Sequence, residues 1–278
     1  MKFTKMHGLG NDYIYVNTMN ERIDNPSELS KNISRYHFGI GSDGLILIGA
    51  SKIADFSMRI FNSDGSEAEM CGNGIRCVGK YVYDKHLTNK KTVTIETLAG
   101  IKILELNVVD SICISAKVNM GKPILDPVKI PVKINEKVVK NHLIHTEIGD
   151  FKITTVSMGN PHCIIFVDDV NFKDFEKTGA FMEKHPLFPK YTNVEFVQVV
   201  DRKTLRMRVW ERGASETLAC GTGACATLVA AVITGQADRE AKVILKGGEL
   251  SISWLNDDAN LYMDGPATTV FEGEINVR

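Results

Sequence analysis

Runs of β-branched, aliphatic and aromatic residues, some alternating with polar positions and some continuous, recur along the chain and predict mostly strands. A first series covers Ile14–Val16, Leu45–Ile48, Phe56–Phe61, Val93–Thr97, Ile101–Val109 and Ile112–Val118. A second covers Phe151–Val156, Cys163–Val167, Val194–Val200, Leu205–Trp210, Val243–Leu245, Leu250–Trp254 and Leu261–Met263, with last strands near Thr268–Val277. Helical periodicity is rarer. It predicts helices over Pro26–Tyr36, which opens with Pro at a helix-start position, and over Gly74–Lys85, Phe172–Lys184 and Gly223–Thr234. The pattern predicts an α+β fold with long mixed or antiparallel sheets.

The two series also repeat each other. A shift of 149 residues, the separation of Cys71 from Cys220, carries Gly72 onto Gly221 and Gly74 onto Gly223. Upstream it carries Arg59 onto Arg208, Phe61 onto Trp210, Ser66 onto Ser215 and Glu67 onto Glu216, and it sets Gly10-Asn11 on Gly159-Asn160. Self-similarity at one offset marks a duplication. It predicts two pseudo-symmetric domains, an N-terminal half over 1–120 and a C-terminal half over 121–265. The break falls near Asn119–Pro127, where NMGKPILDP interrupts the strand pattern with Gly and Pro. The segment 266–278, after Gly265-Pro266, is predicted to cross back and complete the first half.

Composition narrows the function classes. With 278 residues, the chain can bury a substantial core as one large or two modest domains. Lys and Arg total 33 against 34 Asp and Glu, so no global field points to nucleic acid or a membrane surface. The opening MKFTKMHGLGNDYIYVN lacks the apolar core of a secretory leader, and no stretch approaches the ~18 uninterrupted apolar residues of a membrane span. The expectation is a cytoplasmic protein whose six cysteines are mostly reduced, and therefore catalytic, metal-binding or simply buried.

Two of these cysteines stand out by position. Glu69-Met70-Cys71-Gly72-Asn73-Gly74 runs into a helical stretch, and so does Leu218-Ala219-Cys220-Gly221-Thr222-Gly223. Unpaired N–H groups and the positive end of the helix dipole favour a thiolate there, and the same N–H groups can hold a carboxylate. Glycine lets that backbone approach a ligand closely. A two-fold duplication would aim two such helix starts at one point, with one thiol on each face of an α-carbon. One thiolate would remove the α-proton and the opposite thiol would return one. The enolate-like charge needs stabilising, and each donor of the oxyanion-hole type is worth about 3–4 kcal/mol. The other thiols read as core: Cys113 and Cys163 sit in apolar strands, and Cys77 and Cys225 lie one to two turns into the helices. A zinc site is disfavoured because Cys71–Cys77 and Cys220–Cys225 are spaced six and five residues apart rather than as C-x2–4-C. Gly39-Ile40-Gly41-Ser42-Asp43-Gly44 precedes a strand rather than a helix, which excludes a dinucleotide fingerprint.

At these residues the chain closely resembles the diaminopimelate epimerase family. The marks span nearly its whole length: HGLGNDYIYV, HFGIGSDGLILI, FNSDGSEAEMCGNGIRC, SMGNPHCIIFV, TNVEF, WERGASETLACGTGAC and MDGPATTVFEGE. Proline racemase and hydroxyproline epimerase share paired cysteines, and phenazine-biosynthesis-type isomerases belong to the same superfamily. The ERGASET-x-ACGTGAC segment fits the diaminopimelate branch best. The resemblance implies two domains, each a mixed or antiparallel sheet wrapped around a central helix. It implies conversion of LL-2,6-diaminopimelate to the meso form without pyridoxal phosphate, any other cofactor or a metal. It also implies a homodimer and a role in lysine and peptidoglycan precursor synthesis.

Residue by residue, Cys71 and Cys220 fall on the family's catalytic pair, and His162 and Glu211 on positions that tune the thiols. Gly72-Asn73 and Gly221-Thr222 would bind the reacting carboxylate through backbone N–H groups. Asn11, Asn62, Asn160, Asn193, Glu211 and Arg212 would contact the substrate, chiefly its distal end. That end carries a carboxylate suited to bidentate Arg and an ammonium suited to Asn oxygens. One departure is Gly44, where many members carry Gln, so a side-chain contact there must be lost or replaced. Two rivals remain at this stage. A proline or hydroxyproline racemase would have no second charged end for Arg212 to hold. A redox-sensing or metal-binding thiol protein would carry zinc, or would work without thiolate chemistry.

Overall fold

A computed structural model describes residues 1–257 and 259–276. It divides into two compact units: Met1–Asn119 with Asp264–Arg278, and Met120–Met263.

The first unit contains β1 (Lys2–Gly8), β2 (Asn11–Asn17), α1 (Pro26–Ile33), β3 (Gly44–Gly49), β4 (Phe56–Asn62), β5 (Glu67–Ala68), α2 (Gly72–Asp84), β6 (Thr92–Thr97), β7 (Gly100–Val109) and most of β8 (Ile112–Gly121). β1 pairs antiparallel with β2, β2 parallel with β3, and β3 antiparallel with β4. β4 continues antiparallel to β5 and parallel to β6, and β6, β7 and β8 form an antiparallel meander.

The second unit contains β9 (His142–Thr146), β10 (Gly149–Ser157), β11 (Pro161–Phe166), α3 (Phe175–Glu183), β12 (Asn193–Asp201), β13 (Thr204–Glu211), β14 (Ser215–Glu216), α4 (Gly221–Ile233), β15 (Glu240–Leu245), β16 (Gly248–Ser253) and the start of β17 (Leu261–Pro266). The same succession recurs. β10–β11 is antiparallel, β11–β12 parallel, β12–β13 antiparallel, β13–β14 antiparallel, β13–β15 parallel and β15–β16 antiparallel. The chain returns to the first unit within β17, and β18 (Thr268–Glu274) pairs antiparallel with β1. Val277, included in the last predicted strands, lies outside the described residues.

Each unit holds one long buried helix. α4 is apolar on all sides, and Gly221 and Gly223–Ala231 are buried, as expected of a helix enclosed by sheet. α2 buries Gly72–Lys80 and Val82 although it carries Arg76 and Lys80. Lys80 is satisfied by Asp84 at 2.6 Å and by the Cys113 carbonyl at 2.6 Å. A small core in the first unit joins Phe3, Ile14, Val16, Leu29, Ile33, Leu45, Leu47 and Phe61. One in the second joins Val139, Ile153, Ile165, Phe175, Met182, Phe188, Val194 and Phe196, among others. Each such side chain contributes roughly 1.5–3 kcal/mol on burial.

The structure adjusts the expected helix limits. α2 and α4 begin at Gly72 and Gly221, two residues earlier than periodicity predicts, because glycine supplies no apolar periodicity while its backbone is already helical. α1 stops at Ile33 rather than Tyr36, and α3 starts at Phe175 rather than Phe172. Four strands were not expected. β1 and β9 mix Lys or His with apolar residues, and β5 and β14 are two residues long, below what alternation can reveal. No helix among the described residues is long and apolar enough to cross a membrane.

Candidate active site

Cys71 and Cys220 are the N-caps of α2 and α4. Both have extended backbone, with φ −135° and −118°, and the sulfur of each accepts the amide N–H three residues on, Gly74 or Gly223, at 3.3 Å. The thiols therefore occupy the role of a capping oxygen. A side chain at Gly74 or Gly223 would collide with what lies behind the helix start. An added Cβ would come within 2.7 Å of Ile46 Cδ1 at Gly74, and within 2.7 Å of Glu195 Oε1 at Gly223. Glycine at both positions lets those side-chain ends sit directly against the helix start.

In the first unit, Cys71 Sγ lies 3.4 Å from Asn11 Oδ1, which also accepts from Asn73 Nδ2 at 3.4 Å. Asn11 Nδ2 donates to Asp43 at 2.7 Å, which fixes the amide with its oxygen toward the thiol. Burial pushes the Asp43 carboxyl up. Buried Tyr13 touches both Cys71 and Asn11; burial first, then the charges of Cys71 and Asp43, hold its phenol well above its ordinary range. Arg76, fully buried, donates to Gly72 O at 3.0 Å and Asn73 Oδ1 at 2.9 Å, locking the first turn of α2. Asn62 ends β4 and donates to Ser66 Oγ at 3.0 Å within a turn. Gly44 lies between Tyr13 and Asn62 in register. An added Cβ there would stand 2.1 Å from the Phe61 carbonyl oxygen, so the backbone fills the space a side chain would need.

In the second unit, Asn160 Nδ2 donates to Thr222 Oγ1 at 3.3 Å, and Thr222 Oγ1 lies 3.5 Å from Cys220 Sγ. His162 is fully buried between Asn160 Oδ1 at 3.0 Å and Glu195 Oε1 at 2.7 Å. Glu211 ends β13 and accepts from Thr217 Oγ1 at 2.5 Å. Burial raises its carboxyl, opposed by the hydrogen bonds from Thr217 and Cys220 and by the charge of His162. Cys220 is buried, and its thiol is held well above its ordinary range by burial first, then by the charges of Glu211 and Glu195. The helix start alone would lower it, as the sequence argument expects; desolvation and two carboxylates outweigh that pull.

Asn193 is buried. It donates to Pro161 O at 2.9 Å and accepts from the Arg212 amide at 2.9 Å, so it ties β11 to the turn after β13. Glu183 supports the same turn from Trp210 Nε1 at 2.8 Å and Gly213 N at 2.9 Å. The Arg212 side chain is exposed, with one guanidinium nitrogen on Lys190 O at 3.1 Å.

Of the residues read from the sequence, the first unit thus gathers Asn11, Cys71, Gly72 and Asn73, with Asn62 at the neighbouring strand end. The second gathers Asn160, His162, Cys220, Gly221 and Thr222, with Glu211 against Cys220 and Asn193 and Arg212 on one turn. Tyr13, Asp43 and Glu195 were missed. Glu195 left a signal, an acid inside the apolar run Val194–Val200. Cys77, Cys113 and Cys163 are buried, with thiols raised by desolvation, to about 11 for the first two. Among the described residues no group of three or more His, Cys, Asp or Glu side chains could hold a metal ion.

The model of the family described as diaminopimelate epimerase matches residues 3–125 and 154–270. The chain belongs to the diaminopimelate epimerase family. A diaminopimelate epimerase of Acetivibrio thermocellus is 59% identical over 277 residues, covering 100% of this chain and 99% of that protein. One of Methanococcus maripaludis is 58% identical, covering 100% of each chain. The fold is also that of a hydroxyproline epimerase from Agrobacterium vitis, solved with bound trans-4-hydroxy-L-proline. That match has a TM-score of 0.71 at 14% identity and covers 99% of this chain and 90% of that one. At such low identity the match shows the fold alone. Within the diaminopimelate epimerase family, relatives at this identity extend over both thiol-bearing units.

Proposed function

We propose that this chain interconverts LL-2,6-diaminopimelate and its meso isomer, using Cys71 and Cys220 as a two-thiol pair with no cofactor. The observation that carries the reading is the repeated N-cap: each unit places a cysteine sulfur at the start of its buried helix with the same capping bond. One sulfur, as thiolate, takes the α-proton. The other, as thiol, gives its proton to the opposite face of the carbanion. The pair ends as thiol and thiolate with roles exchanged, so charge and protons balance. The raised Cys220 thiol suits it to carry the proton at rest in one direction.

Backbone N–H groups at Gly72-Asn73 and Gly221-Thr222 hold the reacting carboxylate, where the helix dipole favours negative charge. His162 and Glu211 set the proton affinity of Cys220. Asn11, Asn62, Asn160, Asn193 and Arg212 receive the distal end. The same reading takes the enzyme as a cytoplasmic homodimer serving lysine and peptidoglycan precursor synthesis. Exposed apolar side chains at the tip of the β7–β8 hairpin, Val109 with the paired Ile112 and with Ile114, support self-association.

The deciding experiment incubates reduced protein with LL-diaminopimelate in deuterated water without pyridoxal phosphate. The expected result is deuterium at one α-carbon together with the meso isomer. Well-folded, reduced protein that exchanges no α-proton would sink the reading.

A further inference from the structure

The residue beneath the second thiol that the proposed mechanism leaves unused is Glu195. It lies on β12, paired with Ile164, while His162 pairs with Asn193 in the same parallel register. Side chains two positions apart share a face, so Glu195 and His162 are diagonal neighbours on one face of the sheet. Both side chains are 0% exposed. Glu195 Oε1 receives the His162 Nδ1 contact at 2.7 Å and also stands behind Gly223 in the first turn of α4. Its second oxygen, Oε2, is buried without a hydrogen-bond partner. A buried carboxylate left half-satisfied is costly unless it is compensated by an opposite charge and by the helix start beside it.

The contacts of the imidazole bear on that compensation. Nδ1 faces a carboxylate oxygen at 2.7 Å and Nε2 faces the Asn160 amide oxygen at 3.0 Å. Two oxygens on the two ring nitrogens are satisfied together only when both nitrogens carry a proton. The remaining links follow in order. Asn160 turns its NH2 to Thr222 Oγ1 at 3.3 Å, occupying a lone pair of that hydroxyl, and the hydroxyl lies 3.5 Å from Cys220 Sγ with its proton free to point there. With a neutral ring, Nε2 would present a lone pair instead. The Asn160 amide would then turn over to donate to it, its oxygen would claim the Thr222 proton, and the sulfur would lose that donor.

We propose that Glu195 is a positioning residue: its carboxylate keeps His162 doubly protonated, and through Asn160 this aims the Thr222 hydroxyl at the Cys220 sulfur. The inference rests on the reading that His162 serves Cys220. The other ionisable groups around this chain are Glu211 and Cys220 itself, which act electrostatically on one another, and Cys163, which feels the Glu195 charge. At the equivalent place in the first unit, 149 residues earlier, Tyr13 and Ile46 stand where His162 and Glu195 do, so the device belongs to one thiol only.

The test uses the full chain and reads the ring nitrogens of His162 by nitrogen-15 NMR, assigned by loss of its signals in His162→Asn. The unaltered protein should show both nitrogens protonated at neutral pH. Glu195→Gln keeps an acceptor but removes the charge. It should convert one nitrogen to the unprotonated type and lower kcat for LL-diaminopimelate about ten- to a hundredfold with KM within about twofold. Thr222→Val should lower kcat similarly while leaving His162 doubly protonated, and the double variant should lose little more than either alone. A singly protonated His162 in the unaltered protein overturns the proposal. So does a Glu195→Gln protein with unchanged ring nitrogens, or a Thr222→Val protein with full kcat. The spectrum of the unaltered protein and Thr222→Val decide the matter even if Glu195→Gln fails to fold. The reading beneath fails separately: full kcat in His162→Asn removes any role for His162, whereas loss in His162→Asn with none in Glu195→Gln removes only the role of Glu195.

Discussion

The two thiol sites share a frame and differ in what fills it. In both units the cysteine caps a buried helix at the same sulfur–amide distance, and an asparagine at or just before the start of an earlier strand bonds the second helical residue, Asn11 to Asn73 and Asn160 to Thr222. The supporting ion pair repeats as well, Arg59 with Glu67 and Arg208 with Glu216, each at 2.7 Å. Behind the helix start the resemblance ends. Cys71 has Ile46 and the phenol of Tyr13 near it, whereas Cys220 has Glu195, His162 and Glu211. Duplication preserved the backbone that presents a sulfur, and the side chains one layer deeper set one thiol, buried, against two carboxylates and a histidine and left the other more exposed beside a phenol and an aliphatic side chain. A two-base reaction needs the two sulfurs in opposite protonation states at each moment. Unequal surroundings are a direct way to set them.

The comparison can be broken hardest at the sulfurs. Cys71→Ala and Cys220→Ala should each reduce epimerisation by about a thousandfold or more, since a positioned proton donor or acceptor is lost outright. Near-full turnover by either variant, measured by circular dichroism or chiral chromatography, would show that the repeated caps are not a working pair. Next, Ile46→Glu would copy the second site's carboxylate into the first without its histidine. An unpaired buried charge there should cost about 3–5 kcal/mol of stability, read from urea unfolding. A variant as stable as the parent would mean that the first site is wetter than the packing of Ile46 indicates. A smaller effect is expected at Gly44. Gly44→Ala must displace the Phe61 carbonyl and should destabilise by about 1–3 kcal/mol, checked by thermal unfolding. The mildest test compares reactivity. Under limiting alkylating reagent near pH 8, Cys71, the more exposed sulfur, should be labelled before Cys220, and Cys77 and Cys113, raised to about 11, should stay unlabelled in the folded protein. Peptide mass spectrometry showing Cys220 modified first would reverse the assigned asymmetry.

Much of the frame is legible in the residues. Most strands announce themselves by alternation, and the four helices were all expected, because apolar periodicity is a local property that burial of one face imposes. α2 and α4 start two residues before their apolar pattern does because glycine carries no hydrophobic signal. β1 was overlooked because Lys5 and His7 break its pattern, and there the strand is held by pairing with β2 and with β18. For the site, the thiols, the asparagines and His162 could be named in advance. Tyr13 and Glu195 could not, since a phenol or an acid within an apolar run looks the same from the sequence whether it packs, pairs with a distant histidine or faces water.

By itself, then, the sequence determined that two cysteines stand at the starts of two duplicated helices, and which family the chain belongs to. Both are properties of neighbouring residues and of a constant offset. Only the tertiary structure decided that Glu195 lies against His162, that Ile46 occupies the matching place, and that the Phe61 backbone closes the space at Gly44. Those facts depend on strand register and on which side chain sits beneath a helix end. Register is settled by packing across the sheet, where a slip of one residue reverses every side chain. The charge around each thiol is therefore written in the pairing of strands rather than in the motif that carries the sulfur.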